Sequence, residues 1–225
     1  MKFEKLQDLN GICLGNTKGI YKHWIYNKDS YMRMCDYMQK INYSIQDINE
    51  LINKMKKFDR KNVICCIVWV DWIKEAVEKI FEAIKTDVIK NFIFSKSNEI
   101  EKYKKYFTAI RSFIVAHPLS TSRHESYGFD GNYICVDIRD YSGLLELKDK
   151  HMYYCLNTEG LKETSFNYKN DFYLYCYSDK DDNMKYFRKI GCNYIDILKT
   201  AELYIDELYE LNKYLSKLKT INFKG

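Results

Sequence analysis

The sequence predicts a mainly α fold, a helical bundle with a small antiparallel β insertion at about residues 130–178, between its third helix and its C-terminal helix. Three observations predict it. Apolar residues recur every three or four positions in four long segments, as on one face of a helix. The segment after Gly128 is instead rich in Tyr, Val and Ile, which favour strands. One proline and nine glycines leave no linker, so a single domain over residues 1–225 is expected.

The first predicted helix carries its apolar residues on one face. They follow one another at steps of three and four: Tyr31, Met34, Met38, Ile41, Ile45, Ile48, Ile52 and Met55. Packing into the core of a bundle is the commonest meaning of such a stripe. An intermolecular coiled coil is the alternative.

The second predicted helix follows the basic stretch "KMKKFDRKN", residues 54–62, which is typical of a solvated helix end and turn. The β-branched residues of Val63–Val70 also allow a strand at its start. Beyond them the apolar spacing is helical, at Ile73, Val77, Ile80 and Ile84. We therefore expect one long helix, buried on all sides at its N-terminal end.

The third predicted helix begins at Ser97, a good N-cap residue. Its apolar stripe is Ile100, Tyr103, Phe107, Ile110 and Ile114. The next step of three reaches His117, and Pro118 disfavours helical geometry in the residue before it. The helix is therefore expected to end at His117.

The strand-rich segment should form a small sheet between helices. The predicted strands are Tyr133–Arg139, Met152–Asn157 and Phe172–Tyr177. Helical spacing returns over Asn183–Lys219, with a bend or break at Gly191. The bundle should thus comprise residues 1–124 and 183–225, with the strand-rich insertion at residues 125–182.

The composition excludes several classes of protein. No apolar run approaches the roughly 18 residues of a membrane span, and the N-terminus lacks the apolar core of a secretory signal. Eight cysteines without a CxxC pair predict a cytoplasmic protein with reduced thiols and no thiolate zinc site. The net charge of +5 suggests nucleic acid only weakly. We expect no cofactor, no metal and no membrane partner.

The stretch "RSFIVAHP", from Arg111 to Pro118, carries an Arg-x5-His spacing at the end of the third helix. Together with the helical context of about residues 30–124, it resembles the HEPN superfamily (higher eukaryotes and prokaryotes nucleotide-binding). The resemblance does not cover the strand-rich segment. It implies a metal-independent endoribonuclease that acts as a homodimer. His117 would exchange a proton with the ribose 2′-hydroxyl or the leaving oxygen, and Arg111 would hold the scissile phosphate. Ser112 stands where family members commonly have Asn.

Helix geometry bears on this pair. Six residues at ~100° each leave Arg111 and His117 about 120° apart around a regular helix. A shared site would therefore need the helix end, the turn at Pro118 or a second chain, and an isologous dimer would supply that chain. Structural roles remain open as well. His117 could bind free carbonyls at a helix end, and the stem of Arg111 could cover the core.

Arg123 and His124 follow in the turn "STSRHE" and could extend a basic RNA-binding surface. As metal ligands, His117 and His124 would need a third partner that the sequence does not identify. Two function classes result. One is a HEPN-like endoribonuclease, a toxin or abortive-infection (antiviral) effector with RNA as substrate and a cognate antitoxin or regulator. The alternative is a non-catalytic HEPN-like module for binding or dimerisation, which the modest charge and the Ser at position 112 favour.

Overall fold

The computed structural model describes residues 3–12, 19–20, 28–55, 58–84, 86–116, 133–140, 153–164, 170–178 and 188–218. These residues form five α-helices, α1 (Lys28–Ile52), α2 (Arg60–Ala83), α3 (Thr86–Ile89), α4 (Ser97–Arg111) and α5 (Tyr194–Lys217). A π-helical turn, Ser112–Ala116, continues α4. The strands are β1 (Tyr133–Arg139), β2 (Tyr153–Asn157), β3 (Gly160–Thr164), β4 (Phe172–Ser178) and β5 (Arg188–Cys192).

The helices form a bundle around one core. Helix α1 packs along α2, α2 packs on α5, and α5 packs on α4. The stripe predicted for α1 is buried in this core: Met34, Met38, Ile41, Ile45, Ile48 and Ile52. It therefore packs within the chain, as expected for a bundle. The mainly α fold class, with strands between the third long helix and the C-terminal helix, is confirmed.

Helix α2 is one continuous helix, as predicted. Asp59 caps it, because its side chain accepts a hydrogen bond of 2.8 Å from the backbone N–H of Lys61. Its first turns bury one face fully, at Val63, Cys66, Ile67 and Val70. The opposite face is only half-buried, at Ile64, Cys65, Val68 and Trp69. The expected burial on all sides is therefore wrong, and part of this apolar face lies near solvent.

Helix α4 starts at Ser97, but the predicted N-cap is wrong by one residue. Lys96 takes that position without a side-chain cap, and its carbonyl accepts from the backbone N–H groups of Glu99 and Ile100. The ammonium of Lys96 instead pairs with Asp206 of α5 at 2.6 Å. An ion pair to α5 therefore fixes the start of α4, where a local cap was expected.

The sheet has five strands in the order β1-β4-β5-β2-β3. All neighbouring strands pair antiparallel except β2 and β5, which pair parallel. The three predicted strands are found close to their predicted bounds, whereas β3 and β5 were not predicted. The sheet is thus larger than expected, and one of its pairs departs from the antiparallel arrangement.

Strand β5 corrects the prediction for the C-terminal segment. Residues 188–192 were expected in a helix that begins at Asn183, but they pair with β4 and β2, and α5 begins only at Tyr194. Ile190 lies opposite Leu174 and is fully buried. A Cβ at Gly191 would stand 2.0 Å from the Asn170 amide, so a close packing contact explains this glycine. The strand-rich region therefore continues to Cys192, beyond the predicted limit at 182.

The described residues bear on two features, a membrane-spanning helix and a metal site. None of the helices in the described ranges is long and apolar enough to cross a membrane. Within the same ranges, no group of His, Cys, Asp and Glu side chains could hold a metal ion.

Candidate active site

The predicted site residues divide into two groups. Arg111 is the last residue of α4, and Ser112 is the first residue of the π-helical turn. His117, Arg123 and His124 lie outside the residues that the structure describes. Their geometry relative to Arg111 therefore stays a prediction.

Arg111 is held by two acidic residues of α2. Its Nε donates to Asp71 Oδ2 at 2.5 Å, and its Nη2 lies 3.7 Å from Glu75 Oε1. Because Asp71 and Glu75 are four residues apart, they share one face of α2. The side chain of Arg111 is 35% exposed, so it is neither free in solvent nor buried in the core. The ion pair fixes the end of α4 against the middle of α2.

Burial of the Asp71 carboxylate is energetically unfavourable in this position. Burial raises its pKa, although the charge and hydrogen bond of Arg111 lower it, and nearby Glu75 raises it further. Oδ1 is buried and has no hydrogen-bond partner within the described part of the chain. Only the Oδ2 side of the carboxylate is therefore satisfied, and its charge depends on Arg111.

The terminal N–H groups of Arg111 make fewer hydrogen bonds than its Nε–H group does in the described structure. A guanidinium has five N–H donors, and the only hydrogen bond of Arg111 in the described structure uses the Nε–H. Glu75 lies too far from Nη2 for a hydrogen bond, although it contributes charge. The exposed end of the guanidinium can therefore donate to an anion while the Asp71 contact sets its position.

The π-helical turn changes the geometry expected between Arg111 and His117. Hydrogen bonds in a π-helix join residues five apart, so each residue turns through less than the ~100° of an α-helix. The separation of about 120° assumed a regular helix as far as residue 117, and this assumption is wrong for residues 112–116. The wider turn lets three consecutive side chains, Ser112, Phe113 and Ile114, be buried together. Such turns are frequently found at functional sites.

Ser112 is buried at the start of the π-helical turn. Its backbone N–H donates to the carbonyls of Ala109 and Thr108, which closes the α-helical part of the segment. A side chain in this position would act on a site through its neighbours, because bound RNA could not contact it directly without a rearrangement. The orienting role that the resemblance implies for this position remains a prediction.

Asp71 and Glu75 are site residues that the sequence patterns did not predict. The sequence does contain a feature that points to Asp71, because this acidic residue ends the longest apolar run of the chain, Val63–Val70. A charged residue on such a helix segment indicates a buried partner. That partner was not predictable, because Arg111 lies 40 residues further along the chain.

A second polar cluster holds the same helices together. Glu78 of α2 accepts hydrogen bonds from Lys104 of α4 at 2.8 Å and from the Tyr204 hydroxyl of α5 at 3.0 Å. Its other oxygen lies 3.0 Å from Lys74. Burial raises the pKa of the adjacent Glu207 to about 7. The cluster therefore ties α4 to α2 and α5, and it stabilises the helix that carries Arg111.

No family model matches this chain, and no curated protein or solved structure matches it either. The likeness to the HEPN superfamily therefore depends on the Arg-x5-His spacing and its helical context alone.

Proposed function

We propose that the chain is a HEPN-like, metal-independent endoribonuclease in which Arg111 holds the scissile phosphate and His117 transfers a proton. The observation that supports this most is the way in which Arg111 is held. Its Nε contacts Asp71 at 2.5 Å, and the rest of the guanidinium remains partly exposed at the end of α4. A phosphate-binding arginine needs this combination of fixed position and open donors.

The reaction needs no metal ion. The ribose 2′-hydroxyl attacks the adjacent phosphorus, and the bond from phosphorus to the 5′-oxygen of the next nucleotide breaks. The 2′-hydroxyl loses a proton and the leaving 5′-oxygen gains one; His117 carries one of these two transfers and water carries the other. This role suits a group that titrates near neutral pH. Arg111 offsets the charge that develops on the phosphoryl oxygens. The products carry a 2′,3′-cyclic phosphate and a 5′-hydroxyl.

A homodimer is part of the proposal. A two-fold axis beside the end of α4 would bring the Arg111 and His117 residues of two chains into one cleft. Val115, in the π-helical turn, is 37% exposed, so an apolar side chain lies near solvent close to Arg111. Burial of this side chain would contribute to such an interface.

A non-catalytic binding or dimerisation module is the second candidate, and one observation favours it. Asp71 and Glu75 bring two negative charges to one guanidinium, which opposes the binding of a phosphate. In this case the Arg111–Asp71 pair would only fix α4 on α2, and the strand-rich region would bind a partner.

Incubation of the purified chain with a mixed RNA pool, with and without EDTA, tests the proposal. We expect cleavage in both conditions and 2′,3′-cyclic phosphate ends on the products. RNA that remains intact would favour the binding module. Growth arrest on induced expression, relieved by His117→Ala, would support a role as a cytoplasmic toxin or abortive-infection effector.

A further inference from the structure

We propose that Arg60 and Arg139, which are held by Asp137, form a second phosphate-binding subsite for the RNA backbone. The subsite lies three helical turns of α2 away from Asp71, the residue that holds Arg111. This inference rests on the proposed function, because its ligand is the substrate RNA. It adds a binding site on a different part of the molecule, where β1 meets the start of α2.

One carboxylate holds both arginines. Asp137 Oδ1 lies 3.0 Å from Arg60 Nη1, and Asp137 Oδ2 lies 2.8 Å from Arg139 Nε. The backbone N–H of Ile138 donates to Oδ1 at 2.8 Å. Burial alone would raise the pKa of Asp137, but the hydrogen bonds from Arg139 and Ile138 and the charges of Arg139 and Arg60 lower it below its ordinary value. The carboxylate is therefore ionised whenever RNA is bound near neutral pH.

The two arginines of the cluster are accessible to an anion. Two guanidinium groups share the Asp137 carboxylate, and the acidic residues Asp59 and Asp140 stand next to them in the chain. The side chains of Arg60 and Arg139 are 62% and 49% exposed, so bound RNA can reach them. Arg139 also lies over the Tyr175 ring, at 5.5 Å from its centroid, which restricts its orientation. Two guanidinium groups held in this way suit the oxygens of a phosphodiester.

The N-terminus of α2 does not supply this charge by itself. Asp59 caps the helix by accepting from the Lys61 backbone N–H, so an acidic side chain already occupies that end. The subsite is therefore formed by side chains from two elements, Arg60 of α2 and Arg139 of β1.

The subsite is aligned with the proposed active site along one face of α2. Arg60 and Asp71 are eleven residues apart, which corresponds to three turns and a remainder of about 20°. They therefore lie on the same face, about 16 Å apart along the helix axis. Ile64 and Val68, both half-buried, lie between them at steps of four residues. An RNA strand could run from Arg60 to Arg111 along this face, with its bases over the two apolar side chains.

Binding of single-stranded RNA oligomers tests the subsite without relying on cleavage. The full-length His117→Ala variant serves as the parent, and fluorescence anisotropy measures Kd at several salt concentrations. We expect Arg60→Ala and Arg139→Ala each to weaken binding several-fold. The slope of log K against log salt should become less steep by about 0.7 for each phosphate that the variant no longer neutralises. Both substitutions affect exposed ion pairs, so the fold should tolerate them.

Arg33→Ala is the matched control. It removes the same charge from an exposed residue of α1. The turns of α1 that follow Arg33 share a cleft with Lys79 and Glu82, near the far end of α2 from Arg60. We expect this variant to bind RNA with the Kd and salt slope of the parent.

The length of the RNA separates the two proposals. Oligomers long enough to reach from Arg111 to Arg60 should bind more tightly than shorter ones, and Arg60→Ala should remove this gain. If the parent binds long RNA and Arg60→Ala with Arg139→Ala changes neither Kd nor salt slope, the subsite is wrong and the proposed function stands. If the arginine variants weaken binding but the wild-type chain cleaves nothing, the subsite stands and the proposed catalysis fails. If the parent binds no RNA, both are wrong.

Discussion

Arg111 Nε lies 2.5 Å from Asp71 Oδ2, and this contact joins the last α-helical residue of α4 to the middle of α2. Asp71 is buried and its Oδ1 has no hydrogen-bond partner in the described residues. The ionised carboxylate therefore needs the counter-charge of Arg111 to offset its loss of hydration. The arginine that would bind a phosphate is thus a structural residue as well. Any test of catalysis at this site must separate the two roles.

The first prediction concerns stability. Arg111→Ala leaves the Asp71 carboxylate buried without a counter-charge, so we expect the free energy of unfolding to fall by about 1–2 kcal/mol, a value reduced because Arg111 is partly exposed. Urea denaturation measures it. In a double-mutant cycle with Asp71→Asn, the two losses should not add, because both remove the same pair. Additive losses would show that the pair contributes little.

The second prediction separates the roles of the two acids. Asp71→Asn should lower kcat several-fold, because the Arg111 side chain loses its charged anchor, whereas KM should not rise, because one repulsive charge is removed. Glu75→Gln removes a charge without a hydrogen bond, so it should lower KM and leave kcat near the wild-type value. Steady-state kinetics on one RNA substrate would measure both. Equal effects of the two variants on kcat would contradict the anchoring role of Asp71.

The third prediction concerns pH. Burial, and next the charge of Glu78, raise the pKa of Glu207 to about 7, with Glu101 and Glu210 adding to the effect and Lys104 opposing it. Between about pH 4.5 and 7 the folded chain keeps a proton at Glu207 that the unfolded chain has lost. This contribution to stability is full below about pH 4.5, is lost as the pH rises through about 7, and amounts to about 3 kcal/mol.

Glu207→Gln should remove this dependence. The variant should match the wild type near about pH 4.5 and be the more stable protein at about pH 8, as measured by urea denaturation at each pH. Glu202→Gln, at an exposed position of the same helix, is the control and should keep the wild-type profile. A wild-type profile in Glu207→Gln as well would assign the pH dependence to other groups.

The fourth prediction concerns assembly. If two chains share one cleft, a mixture of Arg111→Ala and His117→Ala chains contains heterodimers with one intact residue of each kind. We expect the mixture to recover cleavage that neither variant has alone, and light scattering of the wild type to give a dimer at micromolar concentration. A monomeric wild type, together with no recovery in the mixture, would exclude the shared cleft.

The long helices were predictable because their apolar residues repeat locally. The α1 stripe from Met34 to Ile52 needs only the helical period and a core on one side, and the structure buries all of it. Strand β5 could not be predicted in the same way. Its five residues, Arg188–Cys192, have no alternating pattern, and they become a strand only by pairing with the preceding strand β4 and with β2.

Part of the candidate site was also visible in the sequence. The Arg-x5-His spacing made Arg111 a candidate, and Asp71 stood out only as the residue that ends the apolar run Val63–Val70. That these two residues meet depends on how α4 packs against α2, which no local pattern records. The π-helical turn after Arg111, in which three consecutive side chains are buried, was not predicted from the local pattern either.

The rate of RNA cleavage by the wild type and by three variants tests the central claim most directly. We expect a fall in rate of roughly 10²–10⁴ in the double variant Asp71→Asn/Arg111→Ala, and a similar fall in His117→Ala. Loss of a group that stabilises or protonates the transition state usually lowers the rate by this factor. His124→Ala, outside the Arg-x5-His spacing, should lose far less. Far-ultraviolet circular dichroism should confirm that all of the variants remain folded. Cleavage that persists unchanged in both the double variant and His117→Ala would contradict the account, since the activity could not then belong to Arg111 and His117.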